Sequence, residues 1–253
     1  MKVRAKKSLG QHFLKDENIA AKIVSSLLPV TGEVVEVGPG TGVLTRYLLD
    51  NRSFHTTVIE IDGEAVAYLK ERFPGLSVVH ADFLQTPLDA FGTFSLIGNL
   101  PYYISAPVFF RILEYRERIP QVVCMIQKEV AERITSRHGN KTYGILSVLL
   151  QTFYHIEYLF TVSEHVFVPP PKVKSAVIRL LRKDDEPLPC EVPFFFTVVK
   201  TAFNQRRKTL RNALKPLAGT KELRHPFLSL RAEQLSPQDF VALTVWLRQH
   251  ILP

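Results

Sequence analysis

The chain has 253 residues, 46% of them hydrophobic, which is enough for one large domain and one smaller domain. Its formal net charge of +8 favours a polyanionic partner without naming one. No apolar run is long enough to cross a bilayer, and no apolar signal segment follows the charged N-terminus. The two cysteines indicate neither a disulfide framework nor a metal site. We therefore expect a cytoplasmic protein without a membrane or metal partner.

Strands and helices alternate through the first two thirds of the chain. A helix is predicted over Glu17–Leu28 from its apolar spacing and the proline that follows. This alternation predicts an α/β fold with right-handed crossovers and a largely parallel sheet. The segments 145–153 and 175–181 form either two further strands or a helix and a strand. The other strands are predicted at 34–37, 57–62, 76–80, 94–98 and 122–126, with helices between them.

The composition changes after the charged, proline-bearing stretch Lys183–Pro187, which is typical of a linker. Beyond it, residues 193–253 are predicted to be helical. The last helix is expected to begin with Ser236 as its N-cap and Pro237 at its first position. The predicted domains are therefore 1–183 and a small all-α domain at 187–253.

The predicted strands deliver polar residues to one edge of the sheet, where ligands of parallel sheets bind. The glycine turn Gly38–Gly42 lets the backbone approach a ligand closely. Glu60 ends the next strand and suits two ribose hydroxyls. Asp82 ends the third, where its carboxylate suits the N6 amine of an adenine, beside the N–H of Phe83. A nicotinamide dehydrogenase shares the glycine turn, but Val43 breaks its usual spacing and no hydride-transfer pair is evident.

The tetrapeptide Asn99-Leu100-Pro101-Tyr102 follows the apolar strand 94–98. The side-chain oxygen of Asn99 and the carbonyl of Leu100 can accept both hydrogens of an exocyclic amine, which directs the nitrogen lone pair toward a methyl donor. Pro101 stiffens the turn, and the ring of Tyr102 can stack on a purine. The structural alternative is a plain proline-containing turn between a strand and a helix.

Basic residues cluster near both ends of the chain. Each cluster alone could be a solvated helix face, but two clusters on either side of a base-handling segment favour RNA. The candidate RNA-binding residues are Arg4, Lys6, Lys7, Arg206, Arg207, Lys208 and Arg211.

Seven segments together carry a resemblance to a known family. The chain resembles the small-subunit ribosomal RNA adenine N6,N6-dimethyltransferases over almost its whole length. The segments are Lys6–Leu14, Glu36–Gly42, Glu60–Asp62, Ala81–Phe83, Asn99–Ser105, Phe167–Val177 and Phe203–Asn212.

The resemblance implies a class I, Rossmann-like methyltransferase with a mostly parallel seven-stranded sheet and a small all-α C-terminal domain. It implies S-adenosyl-L-methionine as the cofactor, with Phe167 covering the target adenine opposite Tyr102. Relatives commonly have Asn where this chain has His12, a change that a backbone contact would tolerate. The implied catalytic residues are Asn99, Leu100, Pro101, Tyr102 and Phe167, and the implied cofactor-binding residues are His12, Leu14, Gly38, Gly40, Glu60, Ile61, Asp82, Phe83 and Asn99.

The activity implied is dimethylation of two adjacent adenosines in the 3′-terminal hairpin of small-subunit rRNA, on a pre-assembled 30S particle and by a monomer. One alternative is a large-subunit rRNA methyltransferase of the macrolide-resistance type. Another is a non-catalytic RNA-binding or transcription-accessory relative, against which the intact Glu60, Asp82 and Asn99 argue.

Overall fold

The computed structural model describes residues 3–184, 186–219 and 221–251. The outer ends of both predicted domains, at 1–2 and 252–253, and Asp185 of the predicted linker lie outside these ranges. By packing, the chain divides into a first unit, Met1–Ala131 with His155–Arg182, and a second unit, Glu132–Tyr154 with Lys183–Pro253. The segment 132–154 therefore groups with the C-terminal helices. The resemblance implies that 1–183 binds the cofactor and carries catalysis, with an N-terminal RNA-binding arm, and that 187–253 contacts RNA or the ribosome, and this division of roles stays a prediction.

One sheet organises the first unit. Its strand order is β4-β3-β2-β5-β6-β9-β7, with β1 and β8 forming a separate two-stranded sheet. The pairs β2/β3, β2/β5, β3/β4 and β5/β6 are parallel, and β9 is antiparallel to β6. The predicted α/β fold is confirmed. The strands of the described residues are β1 Phe13–Leu14, β2 Gly32–Val37, β3 Phe54–Glu60, β4 Ser77–His80, β5 Phe94–Asn99, β6 Gln121–Gln127, β7 Tyr154–Val162, β8 Phe167–Val168 and β9 Ser175–Arg182.

The strand order places a ligand crevice. The chain runs outward from β2 through β3 to β4 and then returns to β5 on the other side of β2. In such sheets the crevice lies beyond the carboxyl ends of the strands at which the order reverses, here β2 and β5.

The α-helices are α1 Glu17–Val24, α2 Val43–Leu49, α3 Gly63–Arg72, α4 Ser105–Glu114, α5 Lys128–Thr135, α6 Ile145–Phe153, α7 Val192–Asn204, α8 Leu210–Ala213, α9 Lys215–Ala218 and α10 Pro237–Ile251. Side chains cap α1, α3 and α10 at their first turns. In α1, Asp16 accepts a hydrogen bond from the N–H of Ile19 at 3.0 Å. This helix ends before the predicted Leu28, where the hydroxyls of Ser25 and Ser26 donate to the carbonyl of Lys22.

Apart from Tyr154 at the start of β7, the regular elements among the described residues of the second unit are helices. Phe203 of α7 stacks on Phe240 of α10, with ring centroids 5.8 Å apart. The predicted N-cap of α10 is confirmed, because Ser236 Oγ accepts from the N–H of Asp239 at 3.1 Å. Of the two segments left open by the sequence, 145–153 is the helix α6 and 175–181 lies in β9.

Three strands, β1, β7 and β8, were missed by the sequence analysis. The strand β7 alternates apolar and polar residues from Tyr154 to Val162, a period-two signal that was present but overlooked. The pairing of β1 with β8 joins two residues to two residues across more than 150 positions of chain, and no local pattern predicts such a contact.

Two kinds of feature, a membrane-crossing helix and a metal-binding cluster, are not found among the described residues. Within 3–184, 186–219 and 221–251, no helix combines the length and apolar character that a membrane crossing needs. The same residues contain no group of three His, Cys, Asp or Glu side chains able to hold a metal ion.

The buried Glu36 gives the fold a pH dependence. Its side chain is 1% exposed and accepts a hydrogen bond from Thr45 Oγ1 at 2.6 Å. Burial raises the pKa of this carboxyl from 4.5 to about 8. The native chain therefore holds a proton that the unfolded chain releases at lower pH, so the free energy of unfolding falls as pH rises through this window, by at most about 1.4 kcal/mol per pH unit.

We expect Glu36→Gln to remove this fall, because the amide is neutral and still accepts from Thr45. Denaturant unfolding of both proteins at a series of pH values between the two pKa values measures the difference. If the variant and the wild type lose stability equally as pH rises, Glu36 is not protonated in the native state.

Candidate active site

A cavity of about 250 Å³ lies beyond the carboxyl ends of β2, β3 and β5 in the first unit. Its walls come from the turn after β2, the ends of β3 and β5, the residues after β4 and the N-terminal segment 9–13. The predicted site residues that line it are His12, Gly38, Gly40, Glu60, Ile61, Asp82, Phe83, Asn99, Leu100, Pro101 and Tyr102.

The turn after β2 requires glycine. Gly38 and Gly40 have φ angles of 66° and 56°, in the left-handed region that side chains disfavour. A Cβ on Gly40 would lie 2.8 Å from the ring of Phe13. The turn therefore brings bare backbone to the cavity wall.

Glu60 joins two loops beneath the cavity. One of its oxygens accepts from the N–H of Gly40 at 3.0 Å, and the other accepts from the N–H of Asp62 at 2.9 Å. The side chain is 4% exposed, and burial raises its pKa against the opposing effect of these two bonds. Each oxygen keeps a further lone pair, so Glu60 can hold the turn and still accept from a ligand.

Asp82 keeps one carboxylate oxygen without a partner among the described residues. Its Oδ1 accepts from the N–H of Leu84 at 2.9 Å, which fixes the side chain. The N–H of Phe83 likewise makes no hydrogen bond within the described chain. An acceptor and a donor thus lie side by side on the cavity wall.

Asn99 and Leu100 present two acceptors at the end of β5. The side-chain Nδ2 of Asn99 donates to the main-chain oxygen of His12 at 3.0 Å. This bond commits the amide nitrogen, so Oδ1 is the atom left to accept. The carbonyl of Leu100 also has no hydrogen-bond partner in the described ranges, while its N–H donates to Met125. The pair can receive both hydrogens of an amine.

Tyr102 is held at two points. Its hydroxyl shares a hydrogen bond of 2.6 Å with Ser175 Oγ, and burial raises the pKa of the phenol. The His12 ring stacks against the Tyr102 ring, with centroids 5.6 Å apart and planes inclined by 28°. Because a proline carbonyl only accepts, His12 Nδ1 donates to the oxygen of Pro169 at 2.8 Å. The aromatic side chain is therefore fixed in orientation.

The role of Phe167 in covering the target adenine stays a prediction. This residue is 2% exposed and packs in the core with Leu14 rather than lining the cavity. Leu14 faces Phe167 across the β1/β8 pair, so both side chains turn inward, and the neighbouring Val168 is left 54% exposed. Leu14 lines a smaller cavity of about 30 Å³ beside Gly38 and Asn99, and its backbone contact with a cofactor stays a prediction.

The predicted RNA-binding residues fall into two groups. Lys6, Arg206 and Arg211 bond within the protein. Lys6 pairs with Asp62 at 2.6 Å, and Arg211 donates to the carbonyl of Leu223 at 3.3 Å. Arg206 donates to the carbonyl of Lys141 and lies 3.9 Å from a carboxylate oxygen of Glu233. The side chains that are without a partner among the described residues are those of Arg4, Lys7, Arg207 and Lys208.

Sequence reasoning missed several residues of the N-terminal segment. Leu9, Gln11 and Phe13 line the cavity. They lie within the segment Lys6–Leu14, one of the segments on which the family resemblance rests. The resemblance of this segment could have identified them as residues of the cavity. Tyr103, 57% exposed, lines the cavity too and packs on the backbone of Gly10.

The sheet order and the residues at its carboxyl edge define a class I methyltransferase. The model of the ribosomal RNA adenine dimethylase family matches residues 2–248. The chain belongs to this family.

Individual relatives are similar in sequence to this chain over almost its full length. A protein of Cytophaga hutchinsonii described as ribosomal RNA small subunit methyltransferase A is 58% identical over 250 residues, covering 96% of this chain and 97% of that one. A protein of Porphyromonas gingivalis with the same description is 54% identical over 262 residues, covering 98% of this chain and 100% of that one.

Two solved structures share the fold. A dimethyladenosine transferase from Plasmodium falciparum superposes with a TM-score of 0.77 at 26% identity, covering 94% of this chain and 97% of that one. The 23S rRNA methyltransferase ErmE superposes with a TM-score of 0.66 at 28% identity, covering 91% of this chain and 98% of that one.

Proposed function

We propose that the protein uses S-adenosyl-L-methionine to dimethylate the N6 amines of two adjacent adenosines in the 3′-terminal hairpin of small-subunit rRNA. The observation that carries this proposal is the pair of available acceptors at the cavity, Asn99 Oδ1 and the Leu100 carbonyl. The family supports adenine as the target. The description of the bacterial relatives supports the small subunit.

The cavity residues fit the cofactor. The available Asp82 oxygen and the Phe83 N–H match the amine and the neighbouring ring nitrogen of an adenine. Glu60 would accept from the ribose hydroxyls with its remaining lone pairs. The turn at Gly38 and Gly40, whose positive φ angles favour glycine, would lie along the methionine part. Ile61, His12 and Leu14 complete the proposed cofactor contacts. When bound, S-adenosyl-L-methionine supplies the methyl group.

The chain's own contribution is to orient the amine. Asn99 and Leu100 each accept one N–H from the target nitrogen, which aims its lone pair out of the plane of the base. Pro101 has no N–H to compete for these acceptors. The Tyr102 ring holds the base by stacking. No strong base is required, because a proton leaves the nitrogen after the methyl group has been transferred.

The remaining parts of the proposal concern the setting of the reaction. The substrate is the rRNA within a pre-assembled 30S particle, and the enzyme acts in the cytoplasm as a monomer. The exposed cations Arg4, Lys7, Arg207 and Lys208 contact phosphates, while Lys6, Arg206 and Arg211 contribute less because they bond within the protein.

Asp82→Ala should weaken cofactor binding by roughly 1.5–3 kcal/mol, the contribution of a hydrogen bond to a charged group. Asp82 is a sharper probe than Glu60, because Glu60 also holds the N–H groups of Gly40 and Asp62. Calorimetric titration of the folded variant with S-adenosylmethionine measures the effect. The control is Asp50→Ala, which removes an exposed carboxylate outside the cavity and should bind S-adenosylmethionine with wild-type affinity. Unchanged affinity in Asp82→Ala would remove Asp82 from the site.

Replacing Arg207 and Lys208 by Gln should weaken RNA binding and flatten its salt dependence by about 0.7–0.9 in log-log slope per lost phosphate contact. Cofactor affinity should not change. The control replaces Arg52 and Lys70, two exposed cations of the first unit, and should leave the slope unchanged. A wild-type slope in the Arg207/Lys208 variant would show that these side chains do not reach RNA.

Substrate choice tests the proposed function as a whole. Labelled methyl transfer is compared on small subunits that lack this modification, on large subunits and on protein-free 16S rRNA. The proposal expects transfer to the small subunit. Transfer to the large subunit would instead favour the macrolide-resistance type, and cofactor binding without transfer to any RNA would contradict the proposed catalytic function.

A further inference from the structure

Asp62 collects hydrogen bonds from two distant parts of the chain. It follows β3 as the N-cap of α3, accepting from the N–H of Glu64 at 3.0 Å. Its carboxylate also accepts from Lys6 Nζ at 2.6 Å and from Gln11 Nε2 at 3.2 Å. The side chain of Asp62 is 0% exposed, whereas that of Lys6 is 36% exposed. A buried carboxylate needs such partners, because an unpaired charge in this place is costly.

The two donors also close a loop in the N-terminal segment. The N–H of Lys6 donates to Gln11 Oε1 at 2.8 Å, so the Gln11 amide uses both of its ends, one on Lys6 and one on Asp62. The end of this loop and the two residues after it line the cavity, since the segment 9–13 forms part of its wall. Among them, the main-chain oxygen of His12 accepts a hydrogen bond from Asn99 Nδ2.

Asp62 also contacts Glu60, the residue that is proposed to bind the ribose. Its own N–H donates to a carboxylate oxygen of Glu60 at 2.9 Å. Burial raises the pKa of the Asp62 carboxyl, but the hydrogen bonds from Lys6 and Gln11 outweigh burial, and the net pKa is lowered. The charged form is therefore the one that the surroundings favour.

We propose that Lys6, Gln11 and Asp62 form a latch that positions the segment 9–13 and Glu60 around the cofactor, so that Lys6 is a positioning residue for cofactor binding rather than an RNA contact. This inference rests on the proposed function. The neighbouring Lys7, whose side chain makes no hydrogen bond or ion pair within the described residues, is the residue of this pair that meets RNA.

Two lysine variants separate the roles. Lys6→Gln should raise the dissociation constant for S-adenosylmethionine about tenfold, as expected for the loss of one charge-assisted hydrogen bond, and should raise the KM for the cofactor with little change in kcat. Its RNA salt slope should stay at the wild-type value. Lys7→Gln should do the opposite, keeping cofactor affinity and lowering the slope. Lys6→Arg should restore most of the affinity, and Gln11→Ala should weaken it in the same direction as Lys6→Gln.

The outcomes distinguish the latch from the proposed function. Wild-type cofactor affinity in Lys6→Gln overturns the latch alone, and so does a lowered salt slope in that variant. A loss of stability in Lys6→Gln without a change in cofactor affinity also overturns it. Failure of the wild-type protein to bind the cofactor overturns the latch and the proposed function together.

Discussion

Asn99→Ala should slow methyl transfer to small ribosomal subunits by roughly two or more powers of ten, equivalent to about 2.7 kcal/mol or more in the barrier. The side-chain oxygen of Asn99 is available because Nδ2 is committed to the main-chain oxygen of His12. It orients the amine most strongly as the nitrogen attacks, and a contact that is strongest in the transition state lowers the barrier more than it tightens the complex. Cofactor affinity should therefore change much less than the rate.

Single-turnover methylation at saturating cofactor measures this effect without the contribution of product release. Asn18→Ala, an exposed substitution on α1, is the matched control and should react at the wild-type rate. If Asn99→Ala kept the wild-type rate, the amide would not orient the acceptor amine.

Tyr102→Ala should lose the stacking of the target base, which contributes about 1–3 kcal/mol, and should slow transfer accordingly. Tyr102→Phe keeps the ring face and should retain most of the activity. The structure adds one qualification, because the hydroxyl bonds to Ser175 Oγ and helps to fix the ring. His12 stacks on the same ring and also holds it, so the loss of the hydroxyl alone leaves the ring supported.

Comparing the two Tyr102 variants in the same single-turnover assay separates the ring from the hydroxyl. Equal slowing of Tyr102→Phe and Tyr102→Ala would contradict a stacking role and would place the function of this residue in its hydroxyl.

The carboxyl edge of the sheet could be predicted because its signals are local. Each of Gly38, Glu60, Asp82 and Asn99 follows a short apolar run, and parallel strands bring such positions to one edge. The structure places all four on the wall of one cavity. The sequence therefore indicated the location of the site before any contact was known, although the role of each residue stays a proposal.

The contacts that could not be predicted join residues far apart in the chain. Phe167 lies in the core because β8 pairs with β1. No pattern within Phe167–Val177 predicts that this segment pairs with residues 13–14. Lys6 resembles its neighbour Lys7 in sequence, but a buried carboxylate at Asp62 engages only Lys6. Composition cannot separate a lysine that meets RNA from one that completes an internal ion pair.

The central claim is tested most directly by mapping the product on small subunits that lack the modification. After incubation with the enzyme and S-adenosylmethionine, the rRNA is digested and its fragments are analysed for methylated nucleosides by mass spectrometry. We expect N6,N6-dimethyladenosine at two adjacent positions in the 3′-terminal hairpin, and a much slower appearance of this product with Asn99→Ala under the same conditions. Methylation at another base, or unaltered adenosines with a cofactor-binding wild-type enzyme, would contradict the account.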